Sequence, residues 1–331
     1  MGPRLQYVDM ARGVAICLVV TAHLIQNNLI DGVHNPACQF IMSFFMPLFF
    51  AISGYIGQKV GRPIWRRQDY LKFLKKKAIA LLLPLMIWEL LVRKFFYTSI
   101  WTIPSVTDFV TTLTHPGLWF LHTLFRIFVL YGLFQYFSNK LNSKNNILID
   151  LGLLIPILLL SSGINVQQIH LDDMYLYTFF FYFGVFVSKY PKVNSLFYSK
   201  LAFMASIIIF SVLACHWKSN EGFGMNDALK MIIATCSFVV VMNVCKRYEN
   251  EKSISNILSL WGCYSMEIYL AHWALLRFCT MKVIEGAHIN AFWILIIALA
   301  CSLPIIYICI GYSKIIECSP VLRMFIFGRT K

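Results

Sequence analysis

The sequence predicts an all-α integral membrane protein: a bundle of about ten transmembrane helices with both termini cytoplasmic. Three observations carry that prediction. Of 331 residues, 59% are hydrophobic and only 13% charged, with mean hydropathy +0.67; a soluble domain has about a quarter charged residues. Apolar runs of roughly twenty residues, enough to span about 30 Å of hydrocarbon, recur along the whole chain. Lysine and arginine, finally, alternate between the loops that join those runs.

The runs read as spanning helices cover roughly 10–30, 38–57, 78–96, 117–137, 146–162, 172–188, 197–215, 226–245, 257–280 and 291–313. The first follows a short charged start, as a signal peptide would. It lacks a small-residue cleavage site and continues through His23, Gln26 and Asn27, so it reads as retained. With this set, 22 of the 29 Lys and Arg fall on one side, only Lys218 and Lys282 on the other, and the rest in or beside the segments. Cytoplasmic loops collect such residues, which puts both termini inside. Residues 1–331 then form a single membrane domain. The ten cysteines lie mostly in or beside apolar segments, with no CxxC or CxxH spacing. Neither a metal site nor a disulfide framework is implied.

The net charge of +14 is therefore largely a property of the cytoplasmic face, where it serves topology and contact with anionic membrane lipid. One loop carries more than that requires. Residues 58–77, between the second and third helices, include "KVGRPIWRRQDYLKFLKKK", with Arg66, Arg67, Lys75, Lys76 and Lys77 among its cations and Trp65, Tyr70 and Phe73 between them. Such a segment suits an interfacial amphipathic helix or a cradle for a polyanionic cytoplasmic ligand. Nucleic acid is a poor partner, because no soluble module presents the patch.

Ionisable groups inside spans are costly and mark function by default. In "DMARGVAICLVVTAHLIQ", Arg12 and His23 are separated by about three turns, within about 20° of one face and about 16 Å apart along the axis. Asp9 sits one turn before Arg12. Singly, Asp9 reads as a cap, Arg12 as a topology signal and His23 as a hydrogen-bonding residue; together they make a polar line on one face. A histidine there can take and return a proton near neutrality, as activation of a sugar hydroxyl requires. His122 and Arg126 in "GLWFLHTLFRIF", and Glu89 and Arg93 in "PLMIWELLVRKF", are same-face pairs, the second read more readily as an internally compensated charge. Ser265 and His272 share a face of "GCYSMEIYLAHW", with Glu267 and Arg277 turned elsewhere. Pro47, Pro84, Pro156, Pro304 and Gly54 are candidate helix breaks, which are tolerated where they line a cavity.

Four stretches in order resemble the membrane-bound acyltransferase family 3, and within it the fucose 4-O-acetylase-like polysaccharide O-acetyltransferases. They are "YVDMARGVAICLVVTAH", with the family's Arg and His as Arg12 and His23; "SFFMPLFFAISGYI"; "LWFLHTLF"; and "WGCYSMEIYLAHW". The resemblance implies a multi-pass protein of a bacterial inner (plasma) membrane. It would transfer an acyl group, usually acetyl from cytosolic acetyl-CoA as co-substrate, to a hydroxyl of a surface glycan or lipid-linked saccharide precursor. It implies a catalytic role for His23 and a donor-side role for Arg12. Where many members carry an Arg-x-x-Arg pair entering the third helix, "KKKAIALLLP" offers Lys75, Lys76 and Lys77, then Ala80 and Leu81. Lysine neutralises phosphate but lacks the bidentate fork. In this scheme Arg12, Arg66, Arg67 and the three lysines hold the anionic donor, His23 is the base, and His122, Arg126 or Ser53 supplies an oxyanion donor. No metal is implied. Two other classes fit the residues alone, a glycolipid or solute transporter with the polar line as its path and a non-catalytic subunit of a membrane complex. The residues name neither the sugar acylated nor the oligomeric state.

Overall fold

A computed structural model describes residues 5–29, 31–93, 105–114, 117–142, 146–163, 174–218, 225–278 and 290–329. Among these there is no strand, and the described residues of the ten predicted segments are mostly helical, with interruptions at Ser43–Phe44, Tyr198–Ser199 and Tyr264. The helices used below are α1 (Gln6–Asn28), α2 (Pro36–Met42), α3 (Phe45–Val60), α4 (Arg67–Ile87), α5 (Val106–Thr114), α6 (Trp119–Leu141), α7 (Ile147–Gly163), α8 (Met174–Lys189), α9 (Pro191–Phe197), α10 (Lys200–Leu213), α11 (Met225–Arg247), α12 (Lys252–Cys263), α13 (Ser265–Phe278), α14 (Ala291–Glu317) and α15 (Pro320–Phe327).

Among the described residues, five helical stretches are long and apolar enough to cross a membrane: Gln6–Asn28, Pro36–Val60, Trp119–Leu141, Asn226–Arg247 and Ala291–Glu317. The pair α9 and α10, bent by 56°, makes a sixth if taken as one span. The other predicted spans depart from that standard for visible reasons. Four lysines lie in the first half of α4, α7 contributes the short apolar stretch Ile147–Ser161, α8 has 16 residues, and the segment 257–280 is divided at Tyr264. Large apolar side chains stand exposed along α7 and α14, Leu159 at 66% and Phe292 at 61%, as lipid-facing positions require.

The helices do not break where proline suggested. Pro84, Pro156 and Pro304 lie inside α4, α7 and α14, and Pro47 lies in the first turn of α3. The interruptions fall at Ser43–Phe44, at Tyr198–Ser199, at Tyr264, and at Trp88–Arg93, which is a π-helical turn. Gly54 is a packing residue and not a break. A Cβ there would lie 1.9 Å from the carbonyl oxygen of Phe181, and one on Gly184 would lie 1.9 Å from that of Ala51. Only glycine lets these two backbones approach so closely.

The chain forms two compact units, one of Met1–Val60 with Phe180–Ser313, the other of Gly61–Phe179 with Lys314–Lys331. In the first, α1 is buried almost all round, as Met10, Ala11, Ala15, Ile16, Val19 and Val20 show; this is the pattern of a core helix. Its long partner is α12 followed by α13. Gln6 donates to Ser255 and His23 contacts His272, each pair separated by 249 residues. A constant offset means that α1 and α12–α13 run parallel. Between these contacts Gly13 faces Leu258 and Gly262 faces Asp9, where an added Cβ would lie 2.0 and 1.8 Å from a carbonyl oxygen.

In the second unit α4 packs against α6 through Tyr70, Phe73 and Lys77. Tyr70 lies over Gly132 and donates to the Val129 carbonyl at 3.4 Å, while Phe73 meets Phe128 and Tyr131. Those contacts descend on α6 as they ascend on α4, so the pair is antiparallel. Asp69 accepts the Arg66 N–H at 3.0 Å and starts α4. Against α4 lies α15, which ends on Gly328 in the left-handed conformation (φ 64°) and receives Trp88 Nε1–H at the Ile326 carbonyl, 3.0 Å.

Candidate active site

Helix α1 carries its polar residues on the face that meets α12–α13. Arg12 donates through Nη2 to Ser265 Oγ at 2.7 Å, and its Nη1 lies 3.6 Å from Asp9 Oδ1. Ser265 opens α13 just after the break at Tyr264 and is buried. Asp9 and Ser265 therefore fix the direction of the guanidinium from two sides. Near the same end of α1, Tyr7 and Tyr55 share a hydrogen bond of 2.8 Å, and Lys246 lies 3.9 Å from the ring centre of Tyr198.

Farther along the face, His23 and His272 form a dyad. His23 Nδ1 is 3.0 Å from the Val19 carbonyl oxygen and 3.4 Å from His272 Nε2; His272 Nδ1 is 3.0 Å from the Ile268 carbonyl. The ring centres of the two histidines are 5.2 Å apart, and the Trp273 indole stands 4.8 Å from His23. His272 is wholly buried (0% exposed), Trp273 is 41% exposed and His23 is intermediate. One side of the dyad is thus embedded and the other accessible. Ser53, also in this unit, is partly exposed on α3.

Thus Arg12, Asp9 and Ser265 come together, as do His23 and His272, at two levels of one helix pair. The sequence showed the polar face of α1 and that of α13, but not that each was the other's partner. It also passed over Trp273, adjacent to His272, and assigned Glu267 to a different face; that carboxylate is wholly buried on α13.

The remaining candidates belong to the second unit. Glu89 lies in the π-helical turn, where Oε1 accepts the N–H of Leu118 at 2.6 Å. This satisfies one of the unpaired donors at the start of α6 and places the carboxylate at its positive end. The side chain of Arg93 lies outside the described residues, so its predicted pairing with Glu89 does too. His122 is buried in the second turn of α6, and Arg126, one turn on, is partly exposed. The three lysines of α4 divide. Lys75 and Lys76 are exposed, whereas Lys77 points at α6 with Nζ 3.4 Å from the ring centre of Phe128. Arg66 and Arg67 are exposed. No group of three or more His, Cys, Asp or Glu among the described residues is placed to hold a metal ion.

A family model described as an acyltransferase domain matches residues 5–311. The nodulation protein NolL of Mesorhizobium japonicum is 31% identical over 137 residues, and that of Sinorhizobium fredii is 31% identical over 138. In both cases the alignment covers 39% of this chain and 36% of the relative, well under half of its length. No solved structure matches the chain significantly.

Proposed function

Because this chain belongs to the membrane-bound acyltransferase family 3, whose model spans residues 5–311, we propose that it transfers an acetyl group from cytosolic acetyl-CoA to a hydroxyl of a cell-surface glycan or its lipid-linked precursor. The observation that carries this reading is the pairing of α1 with α12–α13, which holds a guanidinium at one level and an imidazole about 16 Å farther along the same helix. CoA is a polyanion and its phosphates do not enter hydrocarbon. They stay at the cytoplasmic mouth, within reach of Arg12, and the thin pantetheine arm carries the thioester inward toward His23. The exposed Arg66, Arg67, Lys75 and Lys76 belong to the loop that the distribution of Lys and Arg assigns to the cytoplasm, and raise the positive potential that draws an anionic donor to the membrane.

His23 acts as general base. It removes the proton of the acceptor hydroxyl, the oxygen attacks the thioester carbon, and the carbon–sulfur bond breaks. The imidazolium then returns its proton to the departing thiolate. The tetrahedral intermediate needs a donor for its oxyanion, and Ser53 is the candidate from the sequence that shares a unit with His23. Direct transfer is favoured over an acyl-enzyme, since among the described residues no Ser or Cys is hydrogen-bonded to His23.

The test uses purified full-length protein in lipid nanodiscs with acetyl-CoA and defined glycan acceptors. Thiol release coupled to acetylated product is expected, and His23→Ala abolishes both while still reaching the membrane. Movement of acceptor across vesicles with no thiol release would replace this reading with transport. Full activity in His23→Ala would remove His23 from the mechanism.

A further inference from the structure

The two imidazoles of the dyad have a defined hydrogen-bond direction. A backbone carbonyl only accepts. His23 Nδ1 at 3.0 Å from the Val19 carbonyl, and His272 Nδ1 at 3.0 Å from the Ile268 carbonyl, therefore both carry hydrogen. Each neutral ring then keeps its lone pair on Nε2. The Nε2 of His272 lies 3.4 Å from the Nδ1 of His23, so the His23 N–H is shared between Val19 and His272. The Nε2 of His23 makes no hydrogen bond to a described residue and remains as the basic nitrogen.

We propose that His272 is a positioning residue for His23, sharing its Nδ1–H with the Val19 carbonyl so that the ring is held with Nε2 as its base and passes positive charge toward the buried partner while a proton is in transit. This rests on the acyl-transfer reading above and adds a second histidine to it. The steps balance. The acceptor hydroxyl gives its proton to His23 Nε2 as its oxygen bonds to the thioester carbon. The imidazolium so formed shares its Nδ1 hydrogen with His272 Nε2, and the Nε2 proton leaves for the thiolate sulfur when the carbon–sulfur bond breaks. His272 loses nothing in the cycle. Its own Nδ1–H stays on Ile268, and its burial keeps water from competing for Nε2. Trp273, with its ring centre 4.8 Å from that of His23, lies within the roughly 6 Å over which an aromatic ring attracts a cation.

Two measurements test this. Nitrogen-15 NMR of histidine-labelled protein in nanodiscs, with His23 assigned by its loss in His23→Ala, reads the tautomer directly. Wild type should show a protonated Nδ1 and a bare Nε2 on His23, and His272→Leu the same tautomer with its Nδ1 resonance shifted to that of an N–H bonded to the Val19 carbonyl alone. In kinetics, His272→Leu should lower kcat about 10- to 100-fold with KM for acetyl-CoA within about 2-fold. His272→Gln, which returns an acceptor near the Nε2 position, should recover most of that loss. An unshifted His23 Nδ1 resonance in His272→Leu, or unchanged kcat in that variant, overturns the proposal. The NMR result stands apart from turnover. A wild type with the expected tautomer but no thiol release would sink the acyl-transfer reading and leave the dyad geometry intact.

Discussion

At the scale of single residues, Arg12 is an arginine whose usefulness depends on a serine. The 2.7 Å bond from its guanidinium to Ser265 orients a group that would otherwise sample many rotamers, and a hydrogen bond to a charged group is worth about 1.5–3 kcal/mol. Ser265→Ala should therefore raise KM for acetyl-CoA about 10-fold with a smaller change in kcat, read by steady-state kinetics at fixed acceptor. An unchanged KM would leave that bond without a part in donor binding. Arg12 and His23 were visible in the sequence because three turns of helix return to one face. Their partners were not, since nothing local links residue 12 to residue 265 or residue 23 to residue 272. Lys77 teaches the same lesson. It reads like Lys75 and Lys76 as a solvated cation, and only the arrival of Phe128 from α6 separates it from them.

Among the elements, the parallel pair of α1 and α12–α13 depends on two glycines that admit no side chain. Gly13→Ala or Gly262→Ala drives a methyl group into a backbone carbonyl, and overpacking of this kind costs about 1–3 kcal/mol. Thermal unfolding in nanodiscs should show a lower Tm for either variant, accompanied by loss of activity as the two polar levels shift. Gly152→Ala serves as the control, because a Cβ there meets nothing within 4 Å and alanine favours helix over glycine by about 0.8–1 kcal/mol. An unaltered Tm in both core variants would mean that the helices can separate without penalty. Helix placement was legible because apolar runs announce themselves. The interruptions were not, because proline inside a span is tolerated when neighbours re-satisfy the freed groups, whereas the breaks at Tyr264 and Trp88–Arg93 have no composition of their own. From the turn Trp88–Arg93, Glu89 reaches the N–H of Leu118, the residue just before α6, a long-range partnership invisible to a local reading.

For the whole molecule, the distribution of Lys and Arg, 22 against 2, predicts that positions 58 and 218 lie on opposite sides of the membrane. Gln58→Cys and Lys218→Cys, each in a background lacking the native cysteines, test this with a membrane-impermeant maleimide. Position 218 should label in intact cells and position 58 only after lysis; equal labelling of both would overturn the assignment of sides. The parallel course of α1 and α12–α13 fits that arrangement, since two parallel spans need an odd number of crossings between them and seven of the predicted segments lie between 10–30 and 257–280. The offset of 249 residues also orders events in time. A ribosome adding about 5–20 residues per second needs about 12–50 s to make that much chain. Throughout that interval α1 is in the membrane with an arginine and a histidine whose partners on α13, Ser265 and His272, have not been synthesised. The polar line must be sheltered meanwhile by water at the interface, by other early helices or by the insertion machinery. Late-emerging α12 and α13 thus decide whether the polar face of the first helix gains its partners, and a chain truncated before residue 252 would keep the basic loop yet never close the dyad.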